Sequence, residues 1–324
     1  MATFAAVNMK LSVAAAFLWA VAFLVGSFAD PYQDVRTASQ LGSMLFSEKA
    51  LSKDSSVSCA SCHKPQYAFA DTAALSTGIY GKPTRRNTPS VLNMANRSAF
   101  FWDGRAATLQ QQALMPISHP HEMGLPLEDA VTRLQKSPLY IKLFRRVFSK
   151  PASAKNLAEA IAAFERSLET DSSRFDIWDA GDGPEQLTES EERGRKLFIG
   201  DKAKCFDCHF GPDFTGDEFK NVGTYNGKNL NDVGRFVITE KPEHLGAFKV
   251  PGLRNVALTA PYMHNGMFTT LEQVVDFYNN ALAVVPNAVN LDASLQQPLG
   301  LTPQEKADLV AFLKTLSDKR YLAR

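Results

Sequence analysis

CASCH at residues 59–63 and CFDCH at residues 205–209 are the stretches on which the fold and chemistry of this 324-residue chain turn. Each is a C-x-x-C-H unit, and together they use all four cysteines. Thiols at this spacing add across the vinyl groups of haem, and the adjacent histidine becomes the proximal iron ligand. The chain is therefore expected to carry two covalently bound haem c groups, one on Cys59, Cys62 and His63, the other on Cys205, Cys208 and His209. No cysteine remains for a disulfide framework. A zinc ribbon would set its cysteine pairs about 15–20 residues apart, whereas Cys62 and Cys205 are 143 positions apart. No βαβ pattern surrounds either unit, which argues against a thioredoxin-like motif.

On the N-terminal side, Lys10 precedes LSVAAAFLWAVAFLVGSF (11–28), and Ser27-Phe28-Ala29 reads as a cleavage site. Residues 1–29 are expected to be a signal peptide. The competing reading is an uncleaved anchor, since eighteen largely apolar residues sit at the lower limit for a membrane span. Either way the folded part is exported, in a bacterium to the periplasm, and touches a membrane only through such an anchor. The net charge of +1 gives no broad basic footprint, which excludes nucleic acid as a partner.

Outward from the two motifs the chain repeats itself. LGSMLF (41–46) precedes the first motif and RGRKLF (193–198) the second. After them, NTPSVLNMANRSAFFWDGRAATLQQ (87–111) matches KVPGLRNVALTAPYMHNGMFTTLEQ (249–273) at a constant offset of 162, pairing Pro89 with Pro251, Asn93 with Asn255 and Gly104 with Gly266. This predicts two haem domains related by internal duplication. Helical periodicity marks 156–169 and 303–316, and capping boxes open at Thr188 and Thr302. Strand patterns are scarce, and Gly, Asn and Pro separate the helices. The expected fold is mainly α: two cytochrome-c-like domains with long connecting loops, at 30–180 and 181–324, divided near the DAGDGPEQ stretch (179–186).

Extending the offset sets Pro116 opposite Tyr278. If this position faces the distal side of each haem, one iron meets an unreactive ring and the other a phenol able to bind as tyrosinate. Tyr278 also reads as a core aromatic of LEQVVDFYNN (271–280), and the residues alone divide evenly between the two. Gln112 and Glu122 flank the same turn as Pro116, where a carboxyl with a raised pKa would move a proton during peroxide cleavage. Glu122 also reads as a solvated loop carboxylate. His119 and His121 lie in that loop, as surface residues or alternative ligands. Met94, Met115, Met123, Met263 and Met267 read chiefly as packing.

RRNTPSVLN (85–93), FFWDGR (101–106), the LQQQALMPI to HEMG stretch (109–124) and VPGLRN to TAPYMHNG (250–266) resemble the bacterial di-haem cytochrome c peroxidase and MauG family over about residues 35–318. The resemblance implies a calcium ion between the haems, an N-terminal haem that reacts with hydrogen peroxide, and a C-terminal haem that relays or stores electrons. It assigns the catalytic glutamate to Glu122, the pocket glutamine to Gln112 and the tryptophan between the haems to Trp102. It assigns the calcium ligands to Asn87, Thr259 and Pro261, the last two through carbonyls, oxygen donors that suit calcium. It sets His264 near the second haem.

Two departures from typical cytochrome c peroxidases point to the MauG-like branch. The loop STGIYGKPTRRN (76–87) lacks their ligating histidine, and Tyr278 stands where they have methionine. The leading expectation is a haem-dependent oxidoreductase that uses hydrogen peroxide to oxidise side chains, chiefly tryptophan, of a periplasmic partner protein. The alternatives are a peroxidase fed electrons by a small c-type cytochrome or cupredoxin, and a di-haem electron carrier without catalysis.

Overall fold

Thr37 opens the first long helix, and its side chain and that of Gln40 cap each other's backbone. The described part of this computed structural model comprises residues 32–181 and 183–322; the segment 1–29, read above as signal or anchor, lies outside it. Along the chain run α1 (Ala38–Phe46), α2 (Leu109–Ser118), α3 (Leu127–Lys136), α4 (Pro138–Phe148), α5 (Ala154–Arg166), α6 (Arg174–Ala180), α7 (Glu189–Ile199), α8 (Leu271–Asn279), α9 (Pro303–Thr315) and α10 (Lys319–Leu322). Two short strands, β1 (Phe219–Lys220) and β2 (Phe248–Lys249), pair antiparallel. The protein is mainly helical, and Thr37–Arg324 belongs to one compact unit.

The predicted boundaries hold closely. The 303–316 periodicity becomes α9, capped by Thr302 and Glu305. The 156–169 periodicity becomes the last three turns of α5, which stops at Arg166 because the Ser167 hydroxyl donates to the Phe164 carbonyl at 2.6 Å.

Two helix pairs supply the framework, α1 on α5 and α7 on α9. Glycine permits each crossing. Gly42 lies against the Ala160 carbonyl and Phe164, Gly194 against the Asp308 carbonyl and Phe312, and a Cβ at either would collide with the facing backbone. One turn on, Phe46 meets Phe164 and Phe198 meets Phe312, both with ring centroids 5.2 Å apart. Phe69 and Phe214 complete the two clusters, 6.1 Å from Phe46 and 6.0 Å from Phe198. These edge and tilted contacts are the arrangements aromatic quadrupoles favour.

Each cluster is closed by a helix from beyond the other. Phe175 of α6 packs on Phe214 and Phe312 at 5.5 and 5.6 Å. Tyr321 of α10 packs on Phe69 at 6.3 Å. Ser173 and Asp318, just before these two helices, form an antiparallel bridge.

Local geometry recurs at the 162-residue spacing. Asn93 and Asn255 have φ of 58° and 63°, Phe101 and Met263 66° and 71°, Gly104 and Gly266 72° and 67°. Asparagine tolerates the left-handed region and other L-residues resist it, so tertiary contacts must hold Phe101 and Met263 there. Bridges Phe100–Ala106 and Tyr262–Phe268 share the spacing, as do the N-caps Thr108 and Thr270.

Candidate active site between the two CxxCH units

In the first motif the chain makes a single helical turn at Cys59–Cys62, in the second a tighter turn at Cys205–Asp207. Each turn ends with the histidine amide donating to the first cysteine's carbonyl, at 2.8 Å for His63 and 2.9 Å for His209. The ring of His63 donates from Nδ1 to the Phe69 carbonyl at 3.2 Å, and His209 from Nδ1 to the Phe214 carbonyl at 2.9 Å. That leaves Nε2 as the free lone pair on each, the tautomer a metal-binding histidine requires. Burial lowers both imidazole pKa values and favours the neutral, ligating form.

One cavity of about 1120 Å³ runs between the motifs, and every residue assigned above to the site lines it. Four unpaired cysteines, two neutral imidazoles and an apolar cavity of this size fit two haem c groups. Residues Cys59, Cys62 and His63 would hold one, and Cys205, Cys208 and His209 the other.

The walls differ. Pro116 and Tyr278 each stand seven residues after the first residue of their helices, α2 and α8. Tyr278 interacts with the thiols of Cys208 and Cys205, and burial pushes its phenol pKa up. Its hydroxyl has no hydrogen-bond partner among the described residues. A half-buried phenol without a partner fits coordination to a Lewis acid, which would offset both costs. Pro116 has no donor atom in its ring to offer.

The Pro116 carbonyl accepts from the amides of His119 and Met123, both at 3.2 Å, folding the chain back beyond α2. That fold sets Glu122 in the cavity wall near Pro116. The Ile79 amide donates to the Glu122 carbonyl at 2.9 Å, and Gly78 packs on the His121 carbonyl, so the histidine-free loop 76–87 braces the turn. Burial raises the Glu122 carboxyl pKa, with Arg105 and His121 opposing it. Its Oε1 lies 3.3 Å from Nδ1 of His119. His119 therefore neighbours the carboxylate, and His121 bonds from Nδ1 to the Pro83 carbonyl at 3.1 Å. One turn before Pro116, Gln112 has a buried Oε1 without a partner.

Trp102 sits at the seam of the two halves. Its indole donates to the Asn87 carbonyl at 2.8 Å, and its own carbonyl accepts from the Lys249 amide at 2.8 Å. The Asn87 amide donates to the His264 carbonyl at 2.7 Å. The Asn87 side chain donates to the carbonyls of Ala73 and Ala74, which leaves its Oδ1 unspent. No hydrogen bond reaches the carbonyls of Thr259 and Pro261 among the described residues. Three unspent oxygens fit a hard cation. No cluster of three or more His, Cys, Asp or Glu able to hold a metal occurs among the described residues.

Two features escaped the sequence reading. Arg86 binds Asp232 at 2.7 and 2.8 Å and Asp103 at 2.6 Å, tying the halves together. Beside it His264 stacks on Phe248 at 3.7 Å, and burial, with Arg86, pushes its imidazole down to about 4. His264 is therefore neutral at physiological pH. The second feature is Glu165 on α5, buried against Cys59, whose Oε2 has no partner. A glutamate at the end of a helical stripe gives no signal of burial.

Known proteins match this arrangement. The family model described as di-haem cytochrome c peroxidase matches residues 36–183. The methylamine utilization protein MauG of Methylorubrum extorquens is 38% identical over 85% of this chain and 77% of its own length. The chain belongs to the di-haem cytochrome c peroxidase and MauG family. Members named peroxidases are similar too: cytochrome c551 peroxidase of Nitrosomonas europaea is 36% identical over 86% of this chain and 79% of its own. The crystal structure of a MauG-like protein associated with microbial copper homeostasis superposes with a TM-score of 0.80 at 35% identity, covering 90% of this chain and 93% of that one. The di-haem peroxidase BthA from Burkholderia thailandensis gives 0.78 at 28% identity, covering 88% and 87%. As a member of this family the chain is a haem-dependent oxidoreductase with two haem c groups. Relatives bear both names at similar identity, so the branch is argued from the site residues.

Proposed function

We propose that this chain is a periplasmic, MauG-like di-haem enzyme that uses hydrogen peroxide to oxidise side chains, tryptophan foremost, of a partner protein. The observation that carries this reading is Tyr278 in the cavity wall at the helix position where the other half has Pro116. The bound haems supply peroxide activation and storage of the oxidising equivalents. The chain's own residues do the rest. Pro116, with no donor atom, would leave the haem held by His63 free to meet peroxide, and Glu122 would carry a proton between the peroxide oxygens. Gln112 accepts from an incoming O–H through its unpartnered Oε1. Tyr278 would supply a phenolate to the haem held by His209, favouring oxidised iron, and Trp102 would carry electrons between the two groups. Asn87, Thr259 and Pro261 would hold a calcium ion, supplying oxygen donors at this seam.

The halves are read as one duplicated cytochrome-c-like unit, divided at residue 180, with residues 1–29 directing export. No helix among the described residues is long and apolar enough to cross a membrane.

The test is a resting-state electron paramagnetic resonance spectrum of the protein and its Tyr278→Met variant, with turnover assays beside it. One high-spin and one low-spin ferric haem are expected, the low-spin signal changing in Tyr278→Met and protein oxidation disappearing. Two low-spin haems at rest would overturn the enzymatic reading. Fast turnover with a reduced c-type cytochrome, without prior reduction of the enzyme, would replace it with the cytochrome c peroxidase reading.

A further inference from the structure

Glu165 has no role in the site described above, yet it lines the same cavity at 3% exposure. Its Oε2 meets no donor, and its charge acts on the Cys59 sulfur, the attachment atom of the first haem. An unpartnered buried carboxylate costs several kcal/mol, so ordinary selection for stability would remove it. Position 313 of the other half shows that outcome. Phe164 and Phe312 occupy equivalent places against Gly42 and Gly194, so Glu165 and Leu313 are equivalent, and Leu313 also lines the cavity.

The surroundings contain little else that titrates. Helices α1 and α2, packed on α5, carry no ionisable side chain. On α3, Glu128, Asp129 and Lys136 are exposed, and Arg133 is bound to the carbonyls of Ala50, Ser52 and Lys53. On α5 itself Arg166 favours the ionised form, but it is engaged by Glu159 at 2.8 Å. The Cys59 sulfur, in the same cavity wall, feels the charges of both Glu165 and Glu122.

We propose that Glu165 is a proton site coupled to the charge of the first haem, neutral when its iron is ferrous and ionised when it is ferric. Oxidation by a one-electron acceptor such as a c-type cytochrome removes one electron from the iron, and the Glu165 O–H bond breaks to release one proton to water. Reduction by a one-electron donor reverses both. The sum of the two charges then stays constant, which spares the low-dielectric interior an uncompensated charge in either state. Burial, opposed by Arg166, pushes the carboxyl up to about 8, high enough for both states to be reached near neutral pH once a ferric charge pulls it down. The equivalent place in the other half holds Leu313, which cannot titrate. This rests on haem attachment at Cys59 and not on which substrate is oxidised.

The test is spectroelectrochemical titration of both haems in the intact di-haem protein at a series of pH values from neutral up to about 8. The first haem's midpoint should fall by about 59 mV per pH unit, the tenfold-per-unit slope of one proton with one electron. Glu165→Gln should abolish that slope and leave the second haem's midpoint unchanged. It should also remove a carboxylic C=O band from the reduced-minus-oxidised infrared spectrum. Glu165→Leu, which copies the other half, guards against misfolding of the first variant. A slope that persists in both variants, with the infrared band intact, overturns the proposal and transfers the proton to another group such as Glu122.

Discussion

The two ends of the cavity resemble each other around the motif histidines and part company along α2 and α8. Each motif histidine is oriented by a backbone carbonyl, each cluster has three phenylalanines in the same relation, and each front helix crosses through a glycine. Elsewhere in the lining, α2 and the turn after it bring Pro116, Gln112 and Glu122, while α8 brings Tyr278 at the place of Pro116. A scaffold that positions two motif histidines alike can give its two ends separate work through a few other residues. The largest test reverses that difference. Pro116→His should place a ligand on the first iron, remove the high-spin ferric signal and stop peroxide consumption while both haems stay attached. A high-spin signal that survives would show that Pro116 does not face the iron.

Next in size is Glu122→Gln. General acid–base catalysis contributes about 10²–10⁴-fold, and peroxide consumption should slow by that order while the high-spin signal remains. The pH profile supplies the sharper check. A base must be ionised, and burial holds Glu122 above the ordinary carboxylate range, so activity should rise with pH through that raised value. The rising limb should vanish in Glu122→Gln. Unchanged kinetics would make Glu122 a bystander.

How far the comparison could be read from sequence depended on the kind of signal. The haem attachment points are local, five residues each, and no packing can disguise them. The helices were legible through their apolar periodicity, and Thr188 and Thr302 announce their helices by side chains three residues apart. Pro116 against Tyr278 was legible because an unbroken offset carries past the matched segment. Glu165 was not legible, because its burial depends on α5 lying against α1 and the Cys59 turn, contacts more than a hundred residues apart. The crossing of Phe175 and Tyr321 onto opposite clusters was hidden for the same reason: each ring packs on residues far away in the chain.

The glycine crossings predict equal, smaller effects. Gly42→Ala and Gly194→Ala should each destabilise by about 1–3 kcal/mol in denaturant unfolding, as overpacking against backbone does. A clear inequality would mean that one helix pair yields where the other does not, and that the halves differ in stiffness as well as in ligands.

The smallest effects concern pH and stability, where α5 and α9 carry buried carboxyls in opposite states. With the first haem ferrous, Glu165 lies above its ordinary range, so the native state holds its proton where the unfolded chain does not. Stability should therefore fall as pH rises from the unfolded value, 4.5, toward about 8. Asp308 occupies the place of Ala160, and the guanidinium of Arg193 at 2.8 Å, with Ser190 and Gln304, pulls its carboxyl down to about 2. Its contribution is present above 3.8 and is lost as pH falls through about 2. Arg193 is half exposed and solvent-screened, so Asp308→Asn should cost only about 1 kcal/mol near neutrality. It should flatten the acid limb alone, and Glu165→Gln the alkaline limb alone. A change of both limbs by either variant would show that the two helices titrate as one coupled unit.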